Sequence, residues 1–255
     1  MRIEFPHAAR EDFHWAQTQL RIGSAPDNDL VLATGQSAPR HMLIQQDRRG
    51  WVLQVLPAAD RIYVNARPVR EQALLRAGDV VSVGDCRMLL CADENPAQRP
   101  ALQLPEQGRC TVAVRAVAGP LSGRVLPLRG KLELGPRGRC PMELPQGEAV
   151  TLHMGWVAGE LRLDALQSSE RYPLRVNGFA TQNVSLQPGD QIGIAMHRFV
   201  IEAPGMEAEP EITVIEPQFT VLPEATAGPS GEVWWLIATA AVLALGIALA
   251  LFLRF

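Results

Sequence analysis

Up to about residue 204 the apolar positions come in short bursts. Trp51-Val-Leu-Gln-Val-Leu56, Asp79-Val-Val-Ser-Val83 and Arg198-Phe-Val-Ile-Glu202 are examples, and Gly, Pro, Asn and Asp separate them. Runs of this length, partly β-branched and bounded by turn formers, predict strands. No stretch before residue 230 carries the apolar stripe of an amphipathic helix. The pattern predicts an all-β chain built from sandwiches.

The pattern changes at the end. Val233 to Leu253 runs 21 residues without a charge. At the helical rise this covers about 30 Å, the thickness of a bilayer core. Trp234 and Trp235 stand at one edge of the run and Arg254 at the other, which predicts membrane interfaces there. Ala240, Ala244 and Ala248 recur every fourth residue, a spacing that lets two such helices approach. A weak homo-oligomer through this helix is the expectation. The N-terminus has no long apolar core, so no secretory signal is expected. A chain anchored only by its tail is expected to be single-pass in the cell's inner membrane. Its N-terminal domains would then face the cytoplasm.

The strand-rich part repeats itself. Leu20–Leu32 (LRIGSAPDNDLVL) aligns with Leu132–Leu144 (LELGPRGRCPMEL), placing Gly23 on Gly135 at an offset of 112. Carried on without a gap, His41 falls on His153 and Val64-Asn65 on Val176-Asn177. At an offset of 111, Gly78-Asp79 meets Gly189-Asp190 and Arg87 meets Arg198. A register held over some 65 residues predicts two copies of one module. The expected organisation is module 1 over 1–92, a linker over 93–108 and module 2 over 109–204. An acidic linker over 205–231 and the membrane helix over 232–255 follow. Residues 205–232 hold six Glu and no Lys or Arg, a composition that predicts an extended, disordered tether.

Composition narrows the function. The 255 residues carry 24 basic and 27 acidic side chains, so no nucleic-acid partner is expected. Cys86, Cys91, Cys110 and Cys140 form no CxxC pair and have no His at metal-ligand spacing, so free thiols are expected. No nucleophile elbow, phosphate-cradling Gly loop or acidic calcium motif is present. The sequence therefore predicts no enzyme, no cofactor and no metal.

Ile22–Leu32, Pro39-Arg-His-Met42 and Tyr63-Val-Asn-Ala-Arg-Pro-Val69 in copy 1 resemble the forkhead-associated (FHA) domain family. Copy 2 resembles it through Arg175-Val-Asn-Gly178, Pro188-Gly-Asp190 and His197-Arg-Phe199. The resemblance implies eleven-stranded β-sandwiches that read phosphothreonine with loops at one apex. Its motifs are Gly-Arg, Ser-x-x-His, a pair of Asn-Gly steps and a later Gly-Asp. It implies a structural role for Gly23, His41, Gly78 and Asp79 in copy 1. In copy 2 the same role falls to Gly135, His153, Asn177, Gly178, Gly189 and Asp190. Gly23 and Gly135 would serve a positive-φ turn or a close backbone approach. The two His residues would buttress loops, and Asn65 and Asn177 would close hairpins.

The phosphate-contacting types are missing. Ser24 stands where the family puts Arg, Ala38 where it puts Ser, and Asp60 where it puts the first Asn. In copy 2 the corresponding residues are Pro136, Val150 and Tyr172. Loss of such an Arg costs on the order of 3 kcal/mol. That would weaken a micromolar phosphopeptide complex by about two orders of magnitude, toward the millimolar range. Ser24, Ser37, Arg40 and Asn65 remain as apex candidates for a phosphopeptide. The expected function is a membrane-anchored interaction scaffold for protein partners, phosphorylated or not, working largely without phosphate. The alternatives are a true phosphothreonine reader downstream of a Ser/Thr kinase, or a structural part of a secretion-type membrane assembly.

Overall fold

The computed structural model describes residues 1–6, 8–35, 37–57, 59, 61–102, 111–138, 140–204 and 231–254. It divides into two compact units, Met1–Ala208 and Glu209–Phe255.

The first unit holds two sandwiches of eleven strands each. Those of module 1 are β1 (Arg2–Glu4), β2 (Phe13–His14), β3 (Gln19–Gly23), β4 (Leu30–Val31), β5 (Met42–Asp47), β6 (Gly50–Val55), β7 (Ile62–Val64), β8 (Arg67–Val69), β9 (Gln72–Leu75), β10 (Val80–Val83) and β11 (Cys86–Cys91). Those of module 2 are β12 (Ala113–Ala118), β13 (Val125–Pro127), β14 (Lys131–Gly135), β15 (Cys140–Pro141), β16 (Thr151–Val157), β17 (Glu160–Gln167), β18 (Arg175–Val176), β19 (Phe179–Ala180), β20 (Asn183–Ser185), β21 (Gln191–Ile194) and β22 (His197–Glu202).

Each module pairs a six-stranded sheet with a five-stranded one. In module 1 the orders are β2-β1-β11-β10-β7-β8 and β4-β3-β5-β6-β9. Module 2 repeats both, as β13-β12-β22-β21-β18-β19 and β15-β14-β16-β17-β20. Period-two alternation drives the packing. Leu20 and Ile22 of β3 are buried while Gln19 and Arg21, which alternate with them, are exposed. Val114 and Ala116 of β12 alternate likewise into the second core. At one edge of the first core Trp15 meets Trp51 edge to face, with ring centroids 5.5 Å apart.

The β7–β8 and β18–β19 hairpins have two-residue loops, Asn65-Ala66 and Asn177-Gly178. All four residues have positive φ, between 51° and 92°, as a type I′ turn requires. Gly is at ease there; Ala66, at φ 64°, is strained.

In the second unit, α1 (Gly231–Arg254) is one continuous helix. Its described side chains, Trp234 and Trp235 included, are exposed. The Thr239 hydroxyl donates to the carbonyls of Trp235 and Leu236, both at 3.0 Å. The helix thus contains its own polar group, as an apolar solvent demands. The acidic tether expected over 205–231 lies, up to residue 230, outside the described residues.

The hairpin loops give a paired prediction. Ala66→Gly should raise stability by roughly 0.5–1 kcal/mol by relieving the left-handed Ala. Gly178→Ala should lower it by about 2 kcal/mol or more. An added Cβ there would sit 2.6 Å from the Cys91 Sγ and 2.9 Å from the Leu90 carbonyl oxygen. Chemical denaturation of the full chain in detergent measures both.

Candidate functional site

The apex of module 1 is built by the corner between β3 and β4 and by the loop that leads into β5. The corner folds back on that loop. The Ser24 and Ala25 N–H groups donate to the carbonyls of Ala38 and Pro39, both at 3.0 Å. The Asn28 amide donates to the Ala25 carbonyl at 2.8 Å and to the Pro39 carbonyl at 2.7 Å. A Cβ on Gly23 would sit 2.3 Å from the Pro39 oxygen. Gly23 therefore serves a close approach of backbone to backbone; its φ is not in the left-handed region. His41 is fully buried, and its Nδ1 accepts the Ala38 N–H at 2.9 Å. It braces the same loop from beneath.

Two of the apex candidates, Ser24 and Arg40, have partners at this corner. The Ser24 hydroxyl donates to the Ser37 carbonyl at 3.0 Å. The Ser37 side chain is buried. Arg40 is exposed and pairs with Asp27 at 2.8 Å. Arg21 grips Asp29 through its Nε and Nη2 at 3.2 and 3.0 Å. Hydrogen bonding from Arg40 holds the Asp27 carboxyl below its ordinary pKa, and Arg21 does the same to Asp29. Both pairs therefore persist above the ordinary carboxylate range and dissolve in acid. An arriving dianion would meet two carboxylates already holding the guanidinium groups nearby. Asp60 lies outside the described residues.

Asn65 does not face this corner. Its amide donates to Asp79 Oδ1 at 2.7 Å, and its carbonyl oxygen accepts the Val80 N–H at 3.0 Å.

Module 2 departs from the gapless alignment at its own corner. Leu32 donates its N–H to the Gly23 carbonyl, and Met142, not Leu144, makes that bond to Gly135. The corner of copy 2 is therefore two residues shorter. Ile22 pairs with Met42, and its counterpart Leu134 pairs with Leu152. The position of His41 is thus taken by Thr151. His153 is two residues further on, on the outer face, with its Nε2 3.1 Å from Glu133 Oε2. The expectation that His153 buttresses a loop is corrected on this register. Two extra residues between Ala165 and Val176, compared with Val55 and Val64, then restore the frame, so Val176-Asn177 still matches Val64-Asn65. Gly135, like Gly23, allows close approach: an added Cβ would lie 2.7 Å from the Val150 oxygen.

The two Gly-Asp turns carry the polar centre of the molecule. Asp79 is 4% exposed and Asp190 3%. Asp79 accepts from the Asn65 amide, the Arg76 N–H and the Gln191 amide, each at 2.7 Å. Asp190 accepts from the Asn177 amide and the Gln187 N–H, both at 2.8 Å, and from Arg99 in a fork at 3.0 and 2.6 Å. Two donors repeat between the copies. The third comes from module 2 for Asp79, and from the linker for Asp190.

Around Gln191 the modules meet along a seam. Arg198 lies over Gly193 and donates from Nε to the Gly78 carbonyl at 3.1 Å. Its Nη1 donates to the carbonyls of Ala195 and His197 at 2.9 and 2.8 Å. Glu4 faces Arg175 at 3.4 Å, Arg2 stacks on Phe179, and the Ala92 N–H donates to the Asn177 carbonyl. Sequence reasoning missed this seam. The signal lay where the copies differ: Gln191 against Val80, Arg175 against Tyr63 and Gly178 against Ala66.

Removing the third donor tests these carboxylates. Arg99→Ala should cost about 3 kcal/mol, because it leaves a buried charge without its ion-pair partner. Gln191→Ala should cost about 1–2 kcal/mol, the loss of one neutral donor. Urea unfolding of the full chain in detergent ranks the two variants. Burial also pushes the Cys86 and Cys91 thiols above their ordinary range. Iodoacetamide at pH 8 should therefore label Cys91 only after denaturant is added, as read by peptide mass mapping.

Residues 6–94 match a family described as "Inner membrane component of T3SS, cytoplasmic domain". No curated protein matches the chain. Among solved structures the chain is similar to the FHA domain of the CT664 protein from Chlamydia trachomatis. Identity is 23%, TM-score 0.32, and the match covers 34% of this chain and 92% of that one. It is also similar to the FHA-2 domain of a Mycobacterium tuberculosis ABC transporter, at 28% identity and TM-score 0.28, covering 38% of this chain and 88% of that one. A third likeness is to Mycobacterium tuberculosis EmbR in complex with a low-affinity phosphopeptide, at 22% identity and TM-score 0.33, covering 37% and 25%. Residues 6–94 are thus similar to that family, and the chain carries two tandem eleven-stranded β-sandwiches of one repeated strand order followed by an apolar helix.

Proposed function

We propose that the protein is a membrane-anchored, non-catalytic interaction scaffold. It engages protein partners without requiring phosphothreonine, as part of a secretion-type inner-membrane assembly. One observation carries the phosphate-independent part. At the apex the family's Arg position is Ser24, whose hydroxyl is bonded to the Ser37 carbonyl, and Arg40 already faces the Asp27 carboxylate, which opposes a phosphate there. The match of residues 6–94 to a secretion-system inner-membrane component supports the assembly reading.

The long apolar helix supports the anchor, and in this reading it spans the bilayer. Trp234 and Trp235 lie in one headgroup layer and Arg254 in the other, with both modules on the cytoplasmic side. Tethering to a bilayer raises the local concentration of partners, so weak module contacts suffice.

Two measurements test the reading. The full chain in nanodiscs should bind a phosphothreonine peptide and its unphosphorylated twin with affinities within about threefold of each other. A preference of tenfold or more for the phosphorylated form would favour the phosphothreonine reader instead. Cross-linking in native membranes should capture the chain in a complex much larger than a monomer. A chain that stays monomeric there would count against the assembly role.

A further inference from the structure

The two modules treat one equivalent sheet edge differently. β9 closes the five-stranded sheet of module 1, and β20 closes that of module 2. Around β20 the linker is in attendance: the 3-10 turn Pro96–Gln98 packs against the strand, and Gln187 donates to the Pro100 carbonyl at 2.9 Å. The Thr181 hydroxyl donates to the Asn183 carbonyl at 2.9 Å. No strand among the described residues lies on the free side of β9.

The phase of β9 shows which groups that edge offers. The Val55 N–H donates to the Glu71 carbonyl at 2.8 Å, and Leu53 stands opposite Ala73. Alternation in an antiparallel ladder then turns the main chains of Glu71, Ala73 and Leu75 toward β6. Those of Gln72 and Leu74 face outward, in line to pair with another strand. The neighbouring edge strand β8 is blunted. Its two-residue turn makes Val64–Arg67 and Ile62–Val69 the bonded pairs, so Pro68 faces outward with no N–H to give.

Beside β9 runs a groove of about 660 Å³. Arg67, Arg70 and Arg76 line it, together with Val69, Leu74 and Val117. Its acidic residues are Glu71 and Asp79, and Asp79 is already engaged by three donors. Arg67 also reaches Ser122 of module 2. Leu74 is 40% exposed.

We infer that the β9 edge is a docking site for an extended acidic segment of a protein partner. The segment adds as a strand through the outward main chains of Gln72 and Leu74. Its alternate carboxylates fall on the face of β9 that carries Gln72 and Leu74, where Arg70 and Arg76 flank the strand, and its apolar side chains turn to the opposite face. Strand addition supplies the affinity and the guanidinium groups select charge. The inference rests on the scaffold reading and gives that scaffold a surface away from the apex.

The test uses the full chain in nanodiscs and a fluorescent ten-residue peptide of alternating Glu and Val. The expected result is saturable binding that the alternating Lys–Val peptide does not share. N-methylation of every second peptide residue should abolish it in one phase and spare it in the other. Hydrogen exchange should slow over residues 72–75 when the peptide is added. Arg70→Glu lies on an exposed turn and leaves the core untouched; it should weaken binding at least tenfold. Absence of saturable binding, equal binding of the Lys–Val peptide, or protection at the apex instead of β9 would each overturn the inference. If the unmutated chain assembles in membrane cross-linking but binds no Glu–Val peptide, the edge assignment falls and the scaffold reading stands.

Discussion

A buried carboxylate at the Gly-Asp turn organises each module. Asp79 and Asp190 are almost entirely withdrawn from water, where an unpaired charge is costly. An Asn amide and a main-chain N–H satisfy most of each. The same Asn residues accept from the next strand, through the Val80 and Gln191 N–H groups. One side-chain pair thus locks the β7–β8 hairpin to β10, and its repeat locks β18–β19 to β21. The remaining acceptor capacity is what recruits material from outside the module.

That recruitment differs between the copies, and the difference builds the unit. In copy 1 the outside donor is Gln191, so the turn of one sandwich is completed by the other. In copy 2 it is Arg99, so the turn is completed by the linker. The described part of the 93–108 linker is therefore structural. It caps its 3-10 turn through Asn95, covers β20 and neutralises Asp190. Among the described residues β9, the counterpart of β20, has no such cover.

The apex obeys the opposite logic. Its ionic groups are exposed and paired among themselves, as Arg40 with Asp27 and Arg21 with Asp29. Exposed pairs contribute little stability. Their effect is chemical, because they place a carboxylate beside each guanidinium that a phosphate would need. Gly23 permits the backbone approach on which the whole corner rests.

The sequence alone determined the strand-rich class, the repeat, the long apolar helix at the end and the absence of phosphate-contacting types at Ser24 and Ala38. Each of these is a local property, written in the spacing of apolar residues or in the identity of one side chain. What it could not deliver was register across compensating length changes. A corner shortened by two residues and a later loop lengthened by two cancel in a gapless alignment, so His153 passed for the partner of His41 while the strand pairing gives that place to Thr151. Nor did it reveal the seam, whose residues are far apart in the chain and acquire meaning only once two folded surfaces meet. Gln191 and Arg198 read as strand residues until tertiary structure sets them against Asp79 and Gly78. Periodicity is encoded between neighbours, whereas the partner of a buried charge is decided by which surfaces come together.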